Sequence, residues 1–358
     1  MICVGRIKMS DEEFLARMAK KLGMEEKEVK ELLASDSGDD AKVKKGAERL
    51  FITLAKKFFG FLNDGSSPVK IEETPFLAKV QAKELEVFGK ETAPIPIVAY
   101  QSGKKMLYDA LVSGIEEIIP ELMNTYDQSE MKKKRKRGLW SAVSSSVKIV
   151  TILPGLIKMR LLFAELGERV MGQFDMREVT RVSGGELRIA DGNIRRISFE
   201  TGMDLSRLSE YVGMHEELHS FAAQHLELRK CQKNRLDDLL AKISRKERPK
   251  FDKKDEDQSR AFSAAVEGHA EFFTQLFAKD LLPGFVLARS KPGIWKKTKW
   301  RIIGLDKLMQ NYTLGPEFIG YLYKKGGVDL ANNVFAMPPV SMEEVINPEI
   351  YLKRIGKT

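Results

Sequence analysis

The chain has 358 residues, 43% of them hydrophobic and 31% charged, a balance that excludes wholesale disorder and gives one large domain, or one domain with a smaller appendage. Its formal charge of +9 is mild for this length, which makes a dedicated nucleic-acid scaffold a poor reading. Cys3 and Cys231, the two cysteines present, exclude a disulfide framework and a thiolate zinc site and fit a reducing compartment.

The residues from Asp11 to Ala34 place Phe14, Leu15, Met18, Leu22, Val29 and Leu32 at helical spacing, with Gly23 dividing two short helices. A polar linker, Ser35 to Asp40, leads to an amphipathic helix from Lys42 to Leu62. The turn residues Asn63 to Pro68 then mark the best domain boundary. Residues 1–62 therefore read as a helical N-terminal appendage to a main domain of residues 63–358.

Within that domain, Glu72 to Phe88 and Lys104 to Met123 read as helices. The run Lys132 to Arg137 could touch nucleic acid or an anionic surface, although such runs are commonly solvated loops or helix ends. Val147 to Gly172 reads as an apolar helix entered or kinked at Pro154. Its longest uncharged stretch, Ile149 to Ile157, is too short to span a bilayer. Met1 to Ser10 lacks the apolar core of a secretory signal, so the expected location is cytoplasmic. Glu186 to Ala190 alternates as a strand does, with Asp191-Gly192-Asn193 expected to turn the chain after it. The fold class is mainly α with a small β-sheet.

Asp204 can cap a helix running from about Leu205 to Leu228. Along it Leu208, Val212, His215, His219, Ala222 and Leu226 share one stripe, which turns both histidines inward. Imidazoles at i and i+4 converge at a separation suited to one zinc ion, the HExxH pattern. Glu216 is rotated by about 60° from His219, so it can flank the metal and accept a proton from an attacking water. Glu217 lies roughly opposite His215 and is expected to meet solvent. The competing explanation, two satisfied core histidines in an amphipathic helix, is weakened because two of only four histidines fall in this pattern.

A catalytic zinc usually has three protein ligands. Asp257 or Ser259 can cap a second helix through about Ala278, and it carries Glu267-Gly268-His269-Ala270-Glu271. His269 lies about 200° around that helix from Glu267, so the two cannot readily address one ion. Glu267 shares its face with the small residues Ser263, Ala264 and Ala270, which permit close approach. His269 shares its face with Phe262, Val266, Phe273 and Leu276, which reads as core. Glu267 is the better ligand, and Glu271, one turn later, can accept a hydrogen bond from the free ring nitrogen of a ligating histidine.

Several blocks in order, Arg169 to Asp175, His215 to His219, Glu267 to Glu271, then Gly304-Leu305-Asp306 with Tyr312, Gly315 and Phe318, resemble the zinicin-like metallopeptidases. That family is also associated with biosynthesis of the deazaflavin coenzyme. The resemblance spans about Val147 to Arg354 and leaves out the first 62 residues. It implies a zincin-type core in which His215, His219 and Glu267 bind zinc and Glu216 is the general base. The family often has Thr and Asp where this chain has Leu218 and Glu271; neither departure removes a ligand.

The chemistry expected is amide hydrolysis of a peptide or protein substrate. Glu186 to Ala190 is the expected edge strand for an extended peptide, and Tyr211, His225 and Tyr312 are candidates to stabilise an oxyanion or touch substrate. The alternative is a non-hydrolytic, zinc-stabilised binding or scaffold protein with the same ligands.

Overall fold

The computed structural model describes residues 48–49, 52–53, 55–72, 74–125, 159–175, 186–228, 230–231, 234, 253–287, 300–301 and 305–357. The expected helices between Asp11 and Ala34, the basic run Lys132 to Arg137 and the apolar run Ile149 to Ile157 lie outside the described residues. The chain divides into two compact units, one of residues 1–63 and 108–141, the other of residues 64–107 and 142–358.

In the first unit the described residues are helical on either side of the break in sequence. A 3-10 turn, Gly60–Leu62, ends the first stretch, and an exposed ion pair joins Lys56 to Glu116 at 2.8 Å.

The second unit carries a four-stranded sheet of β1 (Val69–Ile71), β2 (Ile97–Tyr100), β3 (Gly172–Asp175) and β4 (Glu186–Ala190), in the order β1-β2-β4-β3. The β2–β4 pair is parallel and the other two are antiparallel. Glu186 to Ala190 is thus an inner strand, hydrogen-bonded on both sides, and not the expected edge. Leu187, Arg188 and Ala190 are all buried, as an inner strand requires.

Between β1 and β2 runs α1 (Pro75–Phe88). Thr74 caps it by accepting from the Leu77 amide, Pro75 occupies the first turn, and Gly89 ends it with φ of +67°. The helix α2 (Gly103–Thr125) follows β2. The apolar helix expected through Gly172 ends at residue 167 among the described residues, and Gly172 instead opens β3.

No turn separates β4 from the next element. Asp191-Gly192-Asn193 forms the first turn of α3 (Asp191–Thr201). A side chain at Gly192 would sit 2.0 Å from the Gln101 carbonyl oxygen, and Asn193 Nδ2 donates to the Gly167 and Val170 carbonyls. These residues suit a close strand-to-helix junction as well as they suit a loop.

Three helices build the core. Asp204 caps α4 (Leu205–His225), its Oδ1 accepting from the Arg207 amide at 2.9 Å. The helix stops at His225, three residues short of the expected end. Next, α5 (Lys253–Leu281) starts before Asp257, so Asp257 is not its cap; its carboxylate accepts from the Met342 amide instead. Then α6 (Leu305–Ala336) is broken at Gly326 and Gly327. Two short helices, α7 (Met342–Ile346) and α8 (Pro348–Arg354), complete the unit.

The helices α5 and α6 approach closely at Gly268 and Gly315. A Cβ added to Gly315 would lie 2.1 Å from the Ala264 carbonyl oxygen, so the backbones themselves are in contact. An aromatic layer of Phe88, Phe221, Phe273 and Phe277 fills the space between α1, α4 and α5. Among the described residues no helix is long and apolar enough to cross a membrane.

Candidate metal centre

Because α4 and α5 run antiparallel, the turn holding His215 and His219 faces the turn holding Glu267 and Glu271. His215 Nε2 and His219 Nε2 each lie 3.6 Å from Glu267 Oε2. All three residues offer ligand atoms within 4.8 Å of one another, the one such group among the described residues. Zinc bonded to nitrogen and oxygen at tetrahedral angles would hold its ligand atoms about 3.4 Å apart. Both separations to Glu267 therefore fit a shared ion and are long for direct hydrogen bonds.

The other ring nitrogen of His215 is also engaged. Its Nδ1 lies 3.4 Å from Glu271 Oε2. The opposite oxygen of Glu271 accepts from the Tyr211 hydroxyl at 3.0 Å and from Gln275 Nε2 at 2.8 Å. Glu271 is thus clamped by two donors, and its other oxygen lies beside His215 Nδ1, so that Nε2 is the nitrogen turned toward Glu267.

Electrostatics show what the site needs. Burial alone would lower the His215 pKa, but its contacts to Glu267 and Glu271 and the charge of Glu216 outweigh burial and raise it to about 10. Burial would raise Glu267, yet His219 and His215 hold it well below the usual carboxylate range. Glu271 is likewise drawn down against burial, to about 2, by His215, Gln275 and Tyr211. Three carboxylates around two histidines call for positive charge. A proton on His215 supplies part of it, and a divalent cation fits the same demand.

Glu216 is 5% exposed and sits against β3: a Cβ at Gly172 would be 2.6 Å from its Oε1. The glycine lets the strand pass beside this carboxylate. Tyr312, three residues before Gly315 on α6, lies beside Glu267; burial first and then the charge of Glu267 push its pKa well above the usual value. Of the three residues expected near substrate, Tyr211 and Tyr312 reach the carboxylates around the histidines. His225 lies at the end of α4 with its ring 5.0 Å from Phe221.

His269 points away from the centre, into the core. Its Nε2 bonds Asn332 Oδ1 at 2.8 Å, its ring packs against Phe273 and Phe335, and burial lowers its pKa to about 4.

The expectation for Glu217 fails. It is fully buried, accepts from Gln81 Nε2 at 3.0 Å and faces Glu84, also fully buried, on α1. The periodicity of α4 gave one inward stripe, whereas α1 covers the opposite face, so the helix is buried on both. Gln275, the passage of Gly172 beside Glu216 and the pairing of Glu84 with Glu217 are not among the sequence expectations. Of these, Gln275 alone had a local signal, standing four residues after Glu271 on one helix.

No protein-family model matches this chain, and no curated protein does. Among solved structures, a chain from Chloroflexus aurantiacus described as "a putative hydrolase with a novel fold" aligns with a TM-score of 0.44 and 18% identity, over 85% of this chain and 98% of that one. At this distance its activity says nothing about the chemistry here.

Proposed function

We propose that the chain is a zinc-dependent metallopeptidase of the zinicin-like family, acting on peptide or protein substrates in the cytoplasm. The observation that carries this reading is the convergence of His215, His219 and one Glu267 oxygen at the spacing of a shared ion, with Glu216 buried on the same helix. No fourth protein ligand joins that group among the described residues, which favours an open catalytic position over a closed structural one.

Zinc held there supplies Lewis acidity toward a scissile carbonyl and an attacking water. Glu216 takes the water's proton and passes it to the leaving amine. Glu271, held by Tyr211 and Gln275, keeps His215 in register, while Tyr312 steadies Glu267. An extended peptide pairs along β3, the outer strand beside Glu216, in place of the inner β4.

Metal analysis of the purified chain, coupled to a peptide-library digest, tests the proposal. Zinc at one equivalent with cleavage lost in Glu216→Gln is the expected result, the variant keeping its metal and melting temperature. Cleavage at equal rates by wild type and Glu216→Gln would overturn the mechanism. A zinc-free wild type would overturn the site, and stoichiometric zinc without any turnover would leave the scaffold reading in its place.

A further inference from the structure

Beside the metal centre lies a cavity of about 660 Å³ whose inner wall is Tyr211, Glu271 and Tyr312. These are the residues that contact the metal ligands or their carboxylate partner, so the cavity opens directly beside the ligand set. Its outer wall is apolar, with Leu282, Phe285, Val286, Leu287 and Pro316.

That wall is a built feature. Gly284, at φ of +76°, turns the chain after α5; the Phe285 amide donates to the Leu282 carbonyl at 3.0 Å. Arg207 Nη1 anchors the same turn through the Pro283 carbonyl, and the Phe285 ring lies 5.4 Å from that of Tyr211. Val286, by contrast, leaves 78% of its surface exposed, a large aliphatic side chain presented next to polar chemistry. At the rim, Lys279 and Glu317 carry opposite charges and so select neither sign.

Resting on the metallopeptidase reading, we infer that this cavity is a specificity pocket that takes a large apolar side chain, of leucine or phenylalanine size, from the residue next to the scissile bond. A polar inner end beside the ligands with an apolar outer wall matches a peptide group followed by such a side chain. Burying that side chain is worth enough to set a preference of about tenfold or more over an acidic one of similar length.

The test uses the zinc-loaded full chain and calorimetric binding of hydroxamates. Acetohydroxamate reports the metal alone; hydroxamates of N-blocked phenylalanine, leucine and aspartate report the pocket. Wild type is expected to favour phenylalanine and leucine over aspartate by about tenfold or more. Val286→Asp, at an exposed position, and Phe285→Ala are each expected to shrink that preference to about threefold or less. Both should leave acetohydroxamate binding unchanged. Equal binding of apolar and acidic probes, or an unaltered preference in both variants, would overturn the pocket while acetohydroxamate binding upheld the metal site. If wild type took up neither zinc nor acetohydroxamate, the metallopeptidase reading would fall and the pocket with it.

Discussion

The two faces of α4 bury the same chemical group under opposite conditions. On the α5 side, Glu267 and Glu271 meet histidines and are held ionised, with Glu271 near 2. On the α1 side, burial pushes the Glu84 carboxyl well above its ordinary value, and the charge of Glu217 pushes it further; the Thr92 hydroxyl, donating at 2.6 Å, lowers it only in part. Glu271, 5% exposed, and Glu84, 0% exposed, are about equally buried, so between these two the partner decides the direction of the shift. One face sets its carboxylates against histidines, and the other sets carboxyl against carboxyl.

Breaking the first face should cost most. His219→Ala removes a ligand and is expected to weaken zinc binding by at least about a hundredfold, more than the loss of any outer partner, as read by chelator competition. In the same assay Glu271→Gln should cost about ten- to a hundredfold, because the amide cannot hold His215 as the clamped carboxylate does. An unchanged affinity would show that the 3.4 Å contact to His215 Nδ1 has no orienting role.

The second face is sharpened by Glu84→Gln. The folded-state pKa of Glu84 is raised, so this group's contribution to stability is intact below its unfolded pKa and fades as pH rises toward the folded one. The glutamine should remove that loss and lift the melting temperature by about 2 °C or more at pH 8, with little change at pH 4. A lower melting temperature at pH 8 would mean that the carboxyl group is stabilising there.

What could be read in advance followed the range of the signal. The β4 bounds and the Asp204 cap rest on signals within one element and agree with the fold described, and periodicity within α5 likewise separates Glu267, which faces the α4 histidines, from His269, which packs in the core. The three- and four-residue strands β1, β2 and β3 are too short to show a period, so neither the sheet order nor the inner position of β4 was legible. Burial of Glu217 depends on α1, some 130 residues earlier in the chain, and no pattern within α4 reports a second covering helix.

The contact of Gly268 with Gly315 also sets a phase. Glu267 is one residue from that contact on its helix, and Tyr312 is three residues from it on the other. Two backbones in contact cannot slide or turn independently. Inserting one residue between Tyr312 and Gly315 would swing the tyrosine by about 100° around α6, away from Glu267, while the apolar core beyond the contact could keep its register. Chains sharing this site should therefore tolerate length changes in the connections between α4, α5 and α6 far better than within the short stretches from each glycine to its functional residue.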